Sequence, residues 1–79
     1  MERTEVVNKL TSIFRKVLND EAIVLKEEMT ANDIEKWDSL SHMLLIAESE
    51  SVFEIRFKLK ELNKMKNVGD MISVIMEKI

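Results

Sequence analysis

The chain begins with a regular spacing of apolar residues that predicts an amphipathic helix. From Thr4 to Leu18 the apolar residues recur three and four positions apart, which places them on one face of a helix. Asn19-Asp20 marks its predicted end. The apolar residues of this segment are Val6, Val7, Leu10, Ile13, Phe14, Val17 and Leu18.

Residues 19–38 show no sustained apolar period, and we predict a long loop packed against the rest of the protein. Thr30 to Asp33 are expected to form at most one short helical turn capped by Thr30. Trp37 is expected to anchor the loop rather than to bind a ligand. The apolar residues available for packing are Ile23, Val24, Leu25, Met29, Ile34 and Trp37.

Asp38 opens a second predicted helix, which continues to Phe53 without Gly or Pro. An aspartate at this position can accept hydrogen bonds from free backbone N–H groups and favours the positive end of the helix dipole. After a break at residues 54–57, a short basic helix is expected at about 58–64, with Leu59 and Leu62 facing inward.

The last predicted helix runs from about Asn67 or Val68 to Ile79. No segment alternates apolar and polar residues over a convincing strand length, and no repeat occurs. The predicted fold class is therefore all-α: a small bundle of three longer helices and one short helix, with a long first loop. Residues 1–79 are expected to form a single domain.

Composition narrows the possible functions. Seventy-nine residues are few for a core that also surrounds a substrate pocket, so we do not expect an enzyme. The lack of cysteine and the single histidine exclude a disulfide framework, a thiolate metal site and a histidine cluster. The N-terminus lacks the apolar core of a signal peptide, and the longest purely apolar run is Met43 to Ala47. We expect a cytoplasmic monomer that does not insert into a membrane.

Charge is segregated along the chain. The net charges of residues 1–18, 19–54, 55–68 and 69–79 are +2, −8, +4 and −1. The acidic centre argues against nucleic acid as a partner, because phosphate contacts require a basic face. It suits a basic protein partner better.

The first half of the second helix is apolar nearly all round, so a small bundle cannot bury every side of it. If Leu45, Ile46, Val52 and Phe53 face the core, other apolar residues must lie outside. An exposed apolar patch with an acidic rim predicts a partner surface, although a deeply buried helix is the alternative. The predicted partner-binding residues are Leu40, Met43, Leu44, Ala47, Glu48 and Glu50.

Ser39 stands at the start of this helix, where a phosphate would meet free N–H groups and the positive end of the dipole. Trp37-Asp38-Ser39-Leu40 resembles the phosphopantetheine attachment motif of acyl carrier proteins, whose centre is Asp-Ser-Leu. The resemblance covers essentially the whole chain. It also includes Asp33-Ile34, Phe53, Ile55, Phe57 and the run Asn67-Val68-Gly69-Asp70-Met71.

This resemblance implies that a phosphopantetheinyl transferase uses coenzyme A and Mg²⁺ to attach 4'-phosphopantetheine to Ser39 through a phosphodiester. The arm then holds acyl groups as thioesters. The carrier presents them to loading, modifying and transferring enzymes of fatty-acid, lipid or specialised-metabolite biosynthesis. By the same resemblance, Asp38 assists transfer and caps the helix, and Leu40 contacts partners.

Several positions depart from the family pattern, among them Ser49 and Ser51, which dilute the acidic character of the second helix. Ser41 and Leu44 stand where many members have acids, which points to a different choice of partner. Ser49 falls on the inward side of the helix, where it either bonds to a backbone carbonyl or leaves room. A dedicated carrier in a specialised pathway is therefore plausible.

Other functions fit less well. Ser39 and His42 lie three apart on one helical face, but no cleft or oxyanion site is expected, and His42 is expected to face solvent. A helical interaction module without a prosthetic group is the main alternative. A peptidyl carrier is disfavoured by the lack of a glycine-rich approach to Ser39. A nucleic-acid module resting on the basic segment 56–66 conflicts with the acidic centre.

Overall fold

The computed structural model describes all residues, 1–79, and is built from α-helices without strands. The all-α fold predicted from the sequence is confirmed. α1 packs against both α2 and α4. No helix combines the length and apolar character needed to cross a membrane. The elements are α1 (Arg3–Val17), α2 (Ser39–Phe53), α3 (Leu59–Lys64) and α4 (Val68–Lys78).

One apolar core joins the longer helices and the loop between α1 and α2. Burial of these side chains removes apolar surface from water, which is the main favourable term in folding. The helical residues with no exposed surface are spaced three or four apart, as the sequence pattern predicted. They include Val6, Leu10, Phe14, Leu45, Val68, Met71 and Ile75.

The loop at residues 18–38 is held to the helices by backbone hydrogen bonds as well as by packing. Two N–H groups at the start of α4 donate to it, from Val68 to the Met29 carbonyl and from Gly69 to the Glu27 carbonyl, each at 2.9 Å. A Cβ atom on Gly69 would lie 3.2 Å from both Cβ and the carbonyl oxygen of Glu27. Glycine therefore allows the loop to approach α4 closely.

The predicted helical turn at Thr30 to Asp33 is a hydrogen-bonded turn and not a helix. The Asp33 N–H group donates to the Thr30 carbonyl at 3.0 Å, and the Thr30 hydroxyl accepts from the Asn32 N–H group at 3.2 Å. The side chain of Thr30 thus supplies a local backbone partner as expected, but without a continuing helix.

α2 ends at Glu54, which adopts a left-handed backbone conformation with φ 56°. The N–H group of the next residue, Ile55, reaches back to the Glu50 carbonyl at 3.1 Å. This is a helix end of the Schellman type, in which the buried Ile55 supplies the apolar contact. Asn19 plays the same role after α1, with φ 53°.

α3 contributes no fully buried side chain and depends on an ion pair instead. Glu61 accepts hydrogen bonds from the Lys58 N–H group at 2.7 Å and from Lys78 Nζ at 2.9 Å. The bond from Lys78 is the main reason that the pKa of Glu61 is lowered. The carboxylate therefore caps α3 and ties it to α4.

Three apolar residues that the sequence offers for packing are exposed instead. Leu59, at the first turn of α3, is 75% exposed because this short helix does not sink into the core. Val52 is 40% exposed, since it lies at the edge of α2 beside Ile13 of α1. Val24 is exposed on the loop, whereas the neighbouring Ile23 is buried.

We expect Leu10→Ala to lower the free energy of unfolding by about 2–5 kcal/mol, because Leu10 is fully buried and its removal leaves a cavity. Leu59→Ala is the matched control and should change it by less than about 0.5 kcal/mol. Urea denaturation followed by circular dichroism measures both. Equal losses in the two variants would contradict the exposed placement of Leu59.

Candidate functional site

The site begins at the first turn of α2, where Asp38 and Ser41 cap the helix reciprocally. The Ser41 N–H group donates to Asp38 Oδ1, and the Asp38 N–H group donates to Ser41 Oγ, both at 2.8 Å. Ser41 Oγ in turn lies 2.9 Å from the Lys36 carbonyl and donates to it. These bonds fix the direction in which the chain enters the helix.

Asp38 is confirmed as the cap, but the role of Ser41 was missed in the sequence. In the sequence Ser41 stands out only as a departure from an acidic family position, whereas its side chain is buried and hydrogen-bonded. The Asp-x-x-Ser spacing is the signal that could have identified the pair. The hydrogen bond from the Ser41 backbone N–H group is the main reason that the pKa of Asp38 is lowered.

Ser39 is the first residue of α2 and is exposed to solvent. Its hydroxyl takes no part in the capping hydrogen bonds, which are made by its neighbours. The cap therefore holds the backbone of Ser39 in place while leaving Oγ available for chemistry.

Trp37 and His42 form a second, separate contact beside Ser39. Trp37 Nε1–H donates to His42 Nδ1 at 3.1 Å, and the two rings stack with centroids 5.9 Å apart. Trp37 also meets Phe14 of α1 edge to face, with ring centroids 5.0 Å apart. Trp37 is thus confirmed as the anchor of the loop.

The expectation that His42 faces solvent is wrong. His42 is half-buried, and burial lowers its pKa. Because Nδ1 accepts a hydrogen bond, the proton of the neutral ring lies on Nε2. No sequence rule links residues five apart in this way, since the contact forms between the loop and α2.

This arrangement does not activate Ser39 as a hydrolase nucleophile. Nδ1 of His42 already accepts a hydrogen bond from Trp37, and no carboxylate is hydrogen-bonded to the ring to orient it as a base. No group of three or more His, Cys, Asp or Glu side chains could hold a metal ion.

An open pocket of about 410 Å³ lies beside Ser39. Its walls come from the loop, the start of α2 and the joint between α3 and α4. The lining includes aromatic, acidic and basic side chains. The lining residues are Ala31, Trp37, Asp38, Ser39, His42, Met65 and Lys66.

The outer face of α2 carries an apolar patch made of Leu40, Met43, Leu44 and Ala47, all of them exposed. Leu40, next to Ser39, is 73% exposed. The opposite face of α2 points into the core through Leu45 and the buried residues around it. The alternative of a deeply buried helix is therefore wrong.

The two acids assigned to the rim of this patch are already engaged within the chain. Glu48 pairs with Lys16 of α1 at 3.0 Å. Glu50 accepts a hydrogen bond from the Phe57 N–H group at 2.9 Å. Both carboxylates thus stabilise the position of α2, which the sequence did not reveal.

Ser49 is fully buried, and its Oγ atom has no hydrogen-bond partner. The alternative in which this side chain bonds to a backbone carbonyl is therefore wrong. A buried hydroxyl without a partner costs about 1–3 kcal/mol relative to a bonded one.

We expect the stability of the protein to depend on His42 at mildly acidic pH. The pKa of His42 in the folded protein lies below the ordinary value of 6.5. The contribution of His42 to the free energy of unfolding is therefore complete above the ordinary value and is lost as the pH falls through the folded pKa. Urea denaturation at several pH values between about 7.5 and 5 measures the loss. The loss of stability on acidification should be smaller in His42→Gln. The same pH dependence of stability in the variant and the native protein would contradict this prediction. Asp38 and Glu61 affect the pH dependence of stability only at lower pH, because their pKa values are lowered from 3.8 and 4.5.

Comparison with known proteins supplies the family. No family model matches the chain, and no curated protein matches it. Among solved structures, the chain is similar to the solution NMR structure of holo acyl carrier protein from Geobacter metallireducens, with 51% identity and a TM-score of 0.88. The match covers 92% of this chain and 84% of that one. Sequence identity at this level over nearly the full chain, together with the same helical fold, means that the protein belongs to the acyl carrier protein family.

Proposed function

We propose that Ser39 is the attachment site for 4'-phosphopantetheine and that the protein carries acyl groups without catalysing a reaction itself. The observation that supports this most directly is the exposed Ser39 hydroxyl at the first position of α2, left free by a cap that its neighbours make. The similar Geobacter protein is described as a holo acyl carrier protein, the form that bears the arm.

The residues around Ser39 fit such a group. The start of α2 presents the positive end of a helix dipole, which favours a phosphodiester. Lys66 brings a positive charge to the adjoining pocket, and Trp37 and Met65 bring apolar surface. The pocket is open, so a flexible chain attached at Ser39 can enter or leave it.

Within this proposal each residue has a definite task. Ser39 Oγ forms the phosphodiester in the active site of a phosphopantetheinyl transferase, with release of the nucleotide half of coenzyme A. Asp38 and Ser41 hold the helix start so that Oγ points outward. When attached, the arm supplies a terminal thiol that can carry an acyl group as a thioester, which explains how a chain without cysteine handles thiol chemistry.

We infer that the apolar patch of Leu40, Met43, Leu44 and Ala47 is the surface that partner enzymes contact. It starts beside Ser39, so a partner seated on it would receive the arm. Glu48 and Glu50 border the patch. A basic side chain of a partner would have to compete with Lys16 and the Phe57 N–H group for these acids.

The proposed partners are a phosphopantetheinyl transferase and the loading, modifying and transferring enzymes of fatty-acid, lipid or specialised-metabolite biosynthesis. Residues 1–79 share one core, which supports a single carrier domain. An interaction module without a prosthetic group is the second candidate, since the exposed patch would serve it equally well.

Incubation with coenzyme A, Mg²⁺ and a broad-specificity phosphopantetheinyl transferase should add the mass of one phosphopantetheine, read by intact mass spectrometry. Ser39→Ala should remain folded and gain no mass, because the lost hydroxyl is exposed. Ser51→Ala, an exposed serine on the same helix, is the control and should load normally. A folded native chain that several transferases leave unmodified would favour the interaction module.

Leu44→Ala should slow loading by the transferase about tenfold, because the side chain lies at the proposed contact surface and its loss weakens docking. Circular dichroism should show an unchanged fold, since Leu44 is exposed. Val24→Ala removes another exposed apolar side chain, from the loop, and should load at the native rate. Native loading of Leu44→Ala would exclude Leu44 from this docking surface.

A further inference from the structure

The proposed function leaves most of the basic segment around α3 without a role. Residues 55–68 carry a net charge of +4 in a chain whose total charge is −3. The side chains that supply this excess are all exposed. They are Arg56, Lys58, Lys60, Lys64 and Lys66.

No carboxylate of the chain forms an ion pair with any of these five side chains. Glu61, the only acid of the segment, pairs instead with Lys78 of α4 at 2.9 Å. Neighbouring positive charges repel one another, so the segment would gain from an anionic partner.

A recess of about 370 Å³ between α3 and α4 gathers three of these cations. Lys60 and Lys64 are four positions apart in α3, a spacing that sets two side chains on one face of a helix. Lys58 precedes the helix, and Ser73 of α4 adds a hydroxyl group. Ammonium and hydroxyl groups donate hydrogen bonds to carboxylates, so the recess is suited to an acidic side chain.

The acids that line the recess do not offset the cations around it. Glu61 is engaged with Lys78. Asp70 accepts a hydrogen bond from the Lys66 N–H group at 3.1 Å, and it lies in the first turn of α4, where the helix dipole favours a negative charge. Glu77 is the one lining carboxylate without an ion-pair partner or a hydrogen bond within the chain. With Lys66 and Lys78 included, the cations outnumber the carboxylates by five to three.

An apolar side chain stands among these charges. Leu59 follows Lys58 and precedes Lys60, and it is 75% exposed. Protein interfaces combine an apolar centre that excludes water with a polar rim. Leu59 and the lysines beside it have this arrangement on a small scale.

We propose that α3 and the recess beside it form a second docking surface, for a partner protein whose acidic side chains enter the recess and whose apolar hollow receives Leu59. The surface is separate from the apolar patch of α2, and its charge is opposite to that of the acids that border that patch. Docking at α3 does not require an arm on Ser39, so it stands apart from the proposed function.

The shape and charge of this surface favour a protein over other anionic partners. A recess accepts separate side chains, whereas a lipid bilayer presents its phosphates in one plane. Helices that bind membranes carry a broad apolar face, but α3 has six residues and one largely exposed apolar side chain. A nucleic acid that extended beyond α3 would be repelled by the acidic segment 19–54, whose net charge is −8.

The probe is a short synthetic peptide of glutamate and leucine, and a control peptide has glutamine in place of glutamate. We would titrate each peptide into the full, unloaded chain at low salt and follow the backbone amide signals by NMR. The acidic peptide should shift the signals of residues 58–64 and 73–77, and the control peptide should not. Raising the salt concentration to about 0.5 M should weaken binding severalfold, because salt screens exposed charges.

Two pairs of lysines with the same change of charge test whether the binding is local. Lys60→Gln combined with Lys64→Gln should weaken binding of the acidic peptide about tenfold, because both ammonium groups line the recess. Lys9→Gln combined with Lys26→Gln removes two exposed lysines elsewhere and should weaken binding less than about twofold.

Leu59→Ala should weaken binding about threefold, because the partner loses its apolar contact. Val24→Ala removes an exposed apolar side chain outside α3 and should bind the peptide as the native chain does. Circular dichroism should show the native helix content in all of these variants, since each replaced side chain is exposed.

Equal losses in the two lysine pairs, or peptide-induced shifts outside α3 and α4, would overturn the proposal, because binding would then follow total charge. If the peptide does not bind but phosphatidylglycerol vesicles or oligothymidylate bind through Lys60 and Lys64, a membrane or a nucleic acid replaces the protein partner. Loading of Ser39 is measured separately by mass. A chain that gains the arm but does not bind the peptide overturns only the docking surface at α3, and a chain that binds the peptide but gains no mass overturns only the proposed function.

Discussion

The contact between Trp37 and Phe14 determines where the functional end of the molecule lies. The loop between α1 and α2 has no regular structure of its own, so its course depends on the residues that bury themselves against the helices. Trp37 is the last of these before α2, and its ring packs edge to face on α1. Because Asp38 follows it directly, the same contact fixes the point at which α2 starts and at which Ser39 emerges.

Around Trp37, structural and functional roles belong to different residues. Capping hydrogen bonds belong to Asp38 and Ser41, core packing of the loop belongs to Trp37, and Ser39 is left with a free, exposed hydroxyl. A reactive group that carries no structural bond can be modified without unfolding its surroundings. The separation suits a small carrier, since a domain of this size has little stability to spare.

α2 also shows the cost of presenting a binding surface on a small bundle. Its outward apolar patch gains nothing from burial in the isolated chain, while the inward face includes Ser49, whose hydroxyl has no partner. Ion pairing of Glu48 with Lys16 and the hydrogen bond from Phe57 to Glu50 hold the helix from its sides. Glu48 and Glu50 of α2 thus already make contacts within the protein when no partner is bound.

Local patterns in the sequence were sufficient for the helices, the cap at Asp38 and the exposed position of Ser39, because these depend on spacing along one element. Resemblance in the Trp37 to Leu40 motif led to the family, which the comparison with a solved structure confirmed. The contacts of His42, Glu48 and Glu50 could not be predicted from local patterns. Each is made with a residue from another part of the chain, and only tertiary packing brings the two residues together. The same holds for Leu59, since an apolar residue at helical spacing is buried only where a neighbouring surface is within reach.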